Sequence, residues 1–382
     1  MATAAIFLLL VGALAGGFVT GLASFGTALM ALGIWLYVLP PSTAVPLVNT
    51  NLGVRSRSRA VSRFPWPQRD DTILRVSPFR RRGPMVMSIE SQIARDSRIG
   101  SIDVISTRAA LGAEVRGVDL KNLDELQFTA LKRAWHEYQV ILVRDQTLSD
   151  QDLIAFSRRF GDLDWAPVQE TGRRFVEGLP EIYIVSNVTV KGQPIGSLGA
   201  GEAVWHTDMS YLDVPPMASM LYALEIPPSG GNTSFCSMYA IYEGLPAELK
   251  RRIADLKIKH DGTYNSGGYL RQGVAATDDP RTSPGAVHPL VCTHPETGRR
   301  MLYLGRRRNA YLMGLELAES EALLDELWDF VAHSEFAWEH VWRVGDLVLW
   351  DNRCTMHRRD PFDASARRIL HRTQIKGSAA PV

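Results

Sequence analysis

The first 54 residues of this 382-residue chain contain no Asp, Glu, Lys, Arg or His. From Ala4 to Leu39 every residue is apolar or small. About 20 apolar residues span a bilayer as a helix, so this stretch has room for one long span or a tight pair. Gly12 with Gly16, and Gly17 with Gly21, give the small-residue spacing that lets membrane helices approach closely. A cleaved signal peptide fits less well, because no basic residue precedes the apolar run and the run is too long. Residues 55–84 then carry nine arginines against Asp70 and Asp71. That basic flank would lie on the cytoplasmic side of a membrane. Residues 55–86 are Arg-, Ser- and Pro-rich without hydrophobic periodicity and read as a disordered junction; Met85 or Met87 makes a natural start for the main domain. The expected division is therefore residues 1–54, an apolar membrane segment, residues 55–86, a junction, and residues 87–382, the main domain.

Outside residues 1–84 the chain holds 33 basic and 39 acidic residues, so the body is a poor candidate for nucleic acid, which binds through phosphate contacts. With 46% hydrophobic residues there is material for a large core, and collagen-like and disordered classes are excluded. Cys236, Cys292 and Cys354 form no CxxC, so neither a zinc ribbon nor a disulfide frame is indicated. A reducing compartment, the cytoplasm, suits such a chain.

Secondary-structure signals in the body are mixed. Ser149 followed by Asp152 predicts a capped helix over Asp150–Phe160, stopped by Gly161. Asp124–Tyr138 and Glu319–His333 have helical spacing of apolar residues, whereas Val140–Val143, Ile182–Val185 and Leu347–Trp350 read as buried strands. Strand signals outnumber helix signals in the second half. Dinucleotide and P-loop glycine motifs are absent, and no internal repeat is visible.

The chemistry begins at Val204-Trp205-His206-Thr207-Asp208. Residues two apart on a strand face one side, so His206 and Asp208 can share a metal ion. One imidazole and one carboxylate are two thirds of the facial triad that leaves open positions on non-haem Fe(II). Alone, the pair also fits a surface His beside a loop Asp. A third donor must come from elsewhere, and His357 comes after the apolar run Leu347–Trp350. Arg368 lies eleven residues beyond it, and Arg372 four further, on the same side of a strand. A guanidinium placed there can grip the far carboxylate of a dicarboxylic acid.

Several blocks occur in one order: RDQTLSDQDLIAFSRRFGDL, AVWHTDMSYLDVPP, PPSGGNTSFCSMYAIYEGLP, HPLVCTHPETGRRMLYL and GDLVLWDNRCTMHRRDPFDASARRILHRTQI. Together they make residues 100–377 resemble the TauD/TfdA family of Fe(II)/2-oxoglutarate-dependent dioxygenases. The resemblance implies a double-stranded β-helix, or jelly roll, with flanking helices. It implies Fe(II) on His206, Asp208 and His357, and Thr233 and Arg368 on the distal carboxylate of 2-oxoglutarate. It further implies O2 as oxidant, release of succinate and CO2, and hydroxylation of a substrate C–H bond. Relatives commonly form dimers or tetramers, so a homo-oligomer is expected. Residues 1–54 resemble the opening of the TauE/SafE anion-exporter family, too short a piece to form a transport path.

For substrate, the resemblance implies that Arg372 contacts an anionic substrate group or supports the co-substrate site, and Tyr211 is a candidate to reach the substrate. Taurine-using members carry a His and a Tyr after the Phe-Gly-acidic-Leu motif, where this chain has Ala166 and Gln169. They also have an Asn where this chain has Glu202. Loss of polar sulfonate partners points to a larger, less polar anion, such as an aryloxyalkanoate or another carboxylate. The alternatives are a taurine or alkylsulfonate dioxygenase releasing sulfite and, in another class, a membrane-anchored or transport-related protein acting through residues 1–54. The remaining histidines (His136, His260, His288, His294, His333, His340 and His371) read as structural, and Trp205 as packing.

Overall fold

The computed structural model describes residues 98–99 and 102–382, apart from 170, 171, 278 and 332. The expectations for residues 1–54, the exporter-like resemblance and the basic junction lie outside the described residues. Among the described residues no helix is long and apolar enough to cross a membrane.

A nine-stranded sheet forms the frame. Its strands run in the order Arg98–Ile99, Ile102–Ser106, Ala113–Arg116, Val140–Val143, Leu347–Asp351, Ala218–Glu225, Ile369–Ile375, Tyr183–Ser186 and Ser197–Leu198. A four-stranded sheet has the order Ala337–His340, Thr233–Ser237, Thr355–Arg359 and Ala203–His206, with every pairing antiparallel. The first three strands of the large sheet follow one another in sequence, but most other neighbours in both sheets are far apart along the chain, so their pairing is set by the core and not by hairpin turns.

Alternation of side chains sorts the large sheet into two faces. Ile141, Val143, Met220, Tyr222, Leu347 and Leu349 pack against Leu131 and Trp135 of helix Glu125–Tyr138 and Leu153 and Phe156 of helix Asp150–Arg158. Their sequence neighbours Leu142, Leu221, Val348 and Trp350, with Leu370, form a second core with Phe235 of the small sheet. Behind the small sheet a third core gathers Trp205, Cys236 and Met356 with helices Met238–Gly244, Ala247–Ile253 and Leu317–Val331. Residues of the small sheet that point away from this third core therefore face the large sheet, and the functional side chains lie in that gap.

The two expected helix starts are formed as capping boxes. Asp124 accepts the Gln127 amide and Ser149 accepts the Asp152 amide, while the Gln127 and Asp152 side chains reach back to the cap amides. The helix after Ser149 ends at Arg158, two residues short of the expected Phe160. The third expected helix lies two residues earlier, at Leu317–Val331. The three cysteines are buried and unpaired.

Ile141 is fully buried between sheet and helices. Ile141→Ala is expected to lower unfolding free energy by about 2–5 kcal/mol, measured by urea denaturation. A loss below about 1 kcal/mol would show that this layer does not carry the core.

Candidate functional site

His206 ends strand Ala203–His206, and His357 is the middle residue of strand Thr355–Arg359. The two stand directly opposite in the ladder, and their ring centroids are 4.1 Å apart. Asp208 lies just past the first strand, with Oδ1 3.6 Å from His206 Nε2 and 4.0 Å from His357 Nε2. All three residues are buried, and one donor atom from each lies within 4.8 Å of the others. The reading of His206 as a surface histidine beside a loop aspartate is thereby removed.

Protons are arranged to leave lone pairs pointing inward. His206 Nδ1 lies 2.7 Å from the Val204 carbonyl. A carbonyl only accepts, so Nδ1 carries the hydrogen and Nε2 is free to bind a metal. Burial, with His206 beside it, pushes His357 down to about 3, so its imidazole is neutral near pH 7. Burial works to raise the Asp208 carboxyl, but the charge of Arg372 and the two histidines outweigh it and hold it well below the usual carboxylate range. Two imidazoles and one carboxylate with converging donor atoms form a donor set that fits divalent iron.

Asp208 is held by residues that sequence reasoning missed. Its amide donates to Asn352 Oδ1 at 2.8 Å, and Asn352 Nδ2 donates to the carbonyls of Asp208 and Pro216, each at 2.9 Å. Ser219 Oγ donates to Asp208 Oδ2 at 3.1 Å, and Gln374 Nε2 donates to that hydroxyl at 3.3 Å. Asn352 stands in the block that includes His357, but nothing in sequence links it to a residue 144 positions away.

Arg368 is 1% exposed. Its terminal nitrogen donates to the Gly231 carbonyl at 3.3 Å, and its Nε has no partner. Gly231 has φ +68°, and a Cβ there would lie 3.2 Å from Arg368 Nε, so glycine keeps the approach open. Thr233, two residues on, is buried, pairs in the ladder with Arg359 and accepts from Trp342 Nε1 at 3.0 Å. Arg359, also missed, is buried and donates to the carbonyls of Leu198 and Gly201. Among the described residues neither arginine forms an ion pair. Burial, with Arg359 adding to it, pushes Arg368 down to about 9. Two buried guanidinium groups without a carboxylate define a place for an anion.

Arg372 follows Arg368 and Leu370 on the inward face of strand Ile369–Ile375. It lies 3.4 Å from Asp208 Oδ2 and its guanidinium covers the Tyr183 ring at 4.7 Å. His371 points the other way, to Asp150 at 2.5 Å. Tyr211 is partly buried under the Arg271 guanidinium, 4.2 Å from its ring, and no hydrogen bond or ring contact joins it to the triad among the described residues.

A second cluster, His294, Asp351 and Cys354, also has metal-like spacing. Its donors are occupied: Arg353 grips both Asp351 oxygens, and His294 accepts the Thr297 amide on Nδ1 and so donates from Nε2 to Asp351 at 3.0 Å. It is a structural knot.

Comparison with known proteins agrees with this geometry. The family described as taurine catabolism dioxygenase TauD, TfdA family, matches residues 104–374. An (S)-phenoxypropionate/alpha-ketoglutarate-dioxygenase of Sphingobium herbicidovorans is 35% identical over 73% of this chain and 96% of its own length. An alpha-ketoglutarate-dependent 2,4-dichlorophenoxyacetate dioxygenase of a Burkholderia species is 33% identical over 76% of this chain and 95% of its own. The crystal structure of a putative alpha-ketoglutarate-dependent taurine dioxygenase from Burkholderia xenovorans superposes with a TM-score of 0.61 at 32% identity. It covers 74% of this chain and 91% of that one. The chain belongs to the TauD/TfdA family.

An unfolded histidine takes up its proton near pH 6.5, and folded His357 only near 3. Between these values the unfolded chain binds more protons, so stability rises with pH. The metal-free protein is expected to lose melting temperature as pH falls from 6.5 towards 4, and less steeply in His357→Gln. Parallel profiles for the two proteins would remove His357 as a cause.

Proposed function

We infer that this chain is an Fe(II)- and 2-oxoglutarate-dependent dioxygenase that hydroxylates a C–H bond of a small organic anion, with an aryloxyalkanoate or other carboxylate favoured. The observation that carries this reading is the burial of two imidazoles and a carboxylate with their donor atoms converging. His206, Asp208 and His357 are the iron ligands in this proposal. Ferrous iron, with 2-oxoglutarate and O2, supplies the oxidative decarboxylation to succinate and CO2 and the oxidising power for hydroxylation. Hydroxylation beside an ether oxygen gives an unstable adduct that releases the oxygen-bearing fragment.

The protein's own work is positioning. Arg368 and Thr233 hold the distal carboxylate of 2-oxoglutarate, and the buried, unneutralised charge at Arg368 and Arg359 supports that role. Arg372 orients Asp208 and offers its unpartnered Nε side to the substrate anion, with Tyr211 bordering the same region. The small and large sheets correspond to the two layers of a double-stranded β-helix in this reading. The likeness to a taurine dioxygenase favours one alternative, a sulfonate substrate with sulfite released.

The proposal keeps residues 1–54 as an exporter-like apolar segment, residues 55–86 as a junction and residues 87–382 as the catalytic domain, working in the cytoplasm as a homo-oligomer. A chain beginning at Met87 that turns over 2-oxoglutarate would exclude a membrane role as the source of activity.

His206→Ala and Asp208→Ala are expected to abolish succinate release while circular dichroism stays native; unchanged turnover in either would refute the ligand assignment. Arg368→Met removes charge-assisted bonds of about 1.5–3 kcal/mol each, so affinity for 2-oxoglutarate should fall about tenfold to a hundredfold in calorimetry. An unchanged affinity would place the co-substrate elsewhere.

A further inference from the structure

Asn352 fixes the amide and carbonyl of Asp208, yet the aim of the carboxylate also depends on the chain that follows. That chain turns at once. Met209 has φ +49°, a left-handed conformation uncommon for a residue with a side chain, and the Leu212 amide closes the turn on the Met209 carbonyl at 3.0 Å. Such a conformation persists where its surroundings hold it. Two carbonyls of the turn show what holds it here: those of Ser210 and Leu212 both lie against His288 Nε2, at 3.1 and 2.9 Å. A carbonyl only accepts, so Nε2 carries the hydrogen and shares it between the two.

His288 is 2% exposed and lies on strand Val287–Pro289. This strand pairs with Lys257–Lys259, which pairs in turn with Tyr311–Leu312. The imidazole is thus anchored to a three-stranded sheet that supplies none of the triad. Backbone bonds tie the rest of the loop. The Ala286 amide donates to the Tyr211 carbonyl, and the Thr207 amide donates to the Gly305 carbonyl, each at 2.9 Å. Gly305 has φ +66°, and a Cβ there would collide with the His260 ring, so this approach demands glycine. His260 lies 5.2 Å from His288 between ring centroids, and neither of its nitrogens has a hydrogen-bond partner among the described residues. It fills space, and His288 is the donor to both carbonyls. The segment from Thr207 to Leu212 is therefore tied on both sides of Asp208, and His288 is the side chain that ties its far end.

We propose that His288 is a positioning residue for Asp208. By holding the Ser210 and Leu212 carbonyls, its Nε2–H fixes the turn after the aspartate, so that the carboxylate is aimed at the two imidazoles. No hydrogen bond, ion pair or ring contact joins His288 to the triad among the described residues, so it acts through the backbone. Donors already in place bind an ion more tightly, because less ordering remains to be done on binding. This rests on the reading of the triad as an iron site and adds to it a residue that holds one ligand in place.

The test compares the full-length wild type with His288→Phe, which removes the donor and keeps a ring, and His288→Gln, whose amide returns an N–H near the Nε2 position. Anaerobic calorimetry reads Fe(II) affinity, and visible absorption reads the iron–2-oxoglutarate complex. Hydrogen exchange of the metal-free protein reads the Met209–Leu212 amides. His288→Phe should weaken Fe(II) binding about tenfold to a hundredfold, diminish the absorption at a given iron concentration and speed exchange in the turn. His288→Gln should recover most of each. His288→Asn, whose amide ends short of the Nε2 position, should behave like the Phe variant and carries the test if that variant does not fold. Ile141→Ala, whose cavity lies in the helix-packed layer of the large sheet, should lose melting temperature and keep its iron affinity. Wild-type iron affinity or wild-type exchange in a folded Phe or Asn variant would overturn the positioning role. So would a loss that Gln does not relieve, or an equal loss in Ile141→Ala. A wild type that takes up no iron would instead sink the assignment of the triad, on which the role depends.

Discussion

The antiparallel ladder between Thr355–Arg359 and Ala203–His206 sets His206 and His357 face to face, and the site is built from that register. A slip of one residue in either strand would turn that strand's imidazole towards the apolar layer that holds Trp205 and Met356. Asp208 lies beyond the strand, where no ladder holds it. Asn352 replaces the missing sheet neighbour by bonding both the amide and the carbonyl of Asp208. The carboxylate then meets the histidines because the backbone is pinned and Ser219 orients one oxygen.

Buried charge is distributed unevenly. Asp346 is matched by Arg144, Asp351 by Arg353, and Asp208 by Arg372. Arg368 with Arg359, and Arg306 with Arg271, have no such partner among the described residues. A buried ion without a counter-ion costs several kcal/mol, a cost a fold tolerates where a ligand supplies the missing charge. The matched groups tie strands and loops together.

Much of the local structure was legible. The Ser149 cap works through side-chain bonds within four residues, so sequence spacing suffices to see it; Asp124, read as the first residue of its helix, is its cap. His206 and Asp208 were expected on one strand, but that strand ends at His206 and Asp208 lies two residues beyond it, where Asn352 and not alternation sets its aim. Arg372 lies in strand Ile369–Ile375 and Arg368 just before it. Their inward aim is borne out by Leu370 between them in the inter-sheet core. Asn352, Ser219 and Arg359 were not legible as site residues, since each acts on a group distant in sequence through one or two hydrogen bonds that leave no periodic trace. In Gly305-Arg306-Arg307-Arg308 three adjacent arginines look alike in sequence, yet Arg307 joins Glu321 and Asp325, Arg308 covers Tyr264, and Arg306 is buried.

By itself, the amino-acid sequence determined the kinds of donor available, their spacing within single strands, the helix starts and the family. Tertiary structure alone decided which distant strands pair, which of several arginines lose their solvent and their counter-ions, and which asparagine clamps the metal-side carboxylate. The physical reason is range. Propensity, capping and alternation act over a few residues along the chain. Burial and charge balance depend on neighbours brought together across 144 and 202 positions, as Asn352 meets Asp208 and Arg144 meets Asp346.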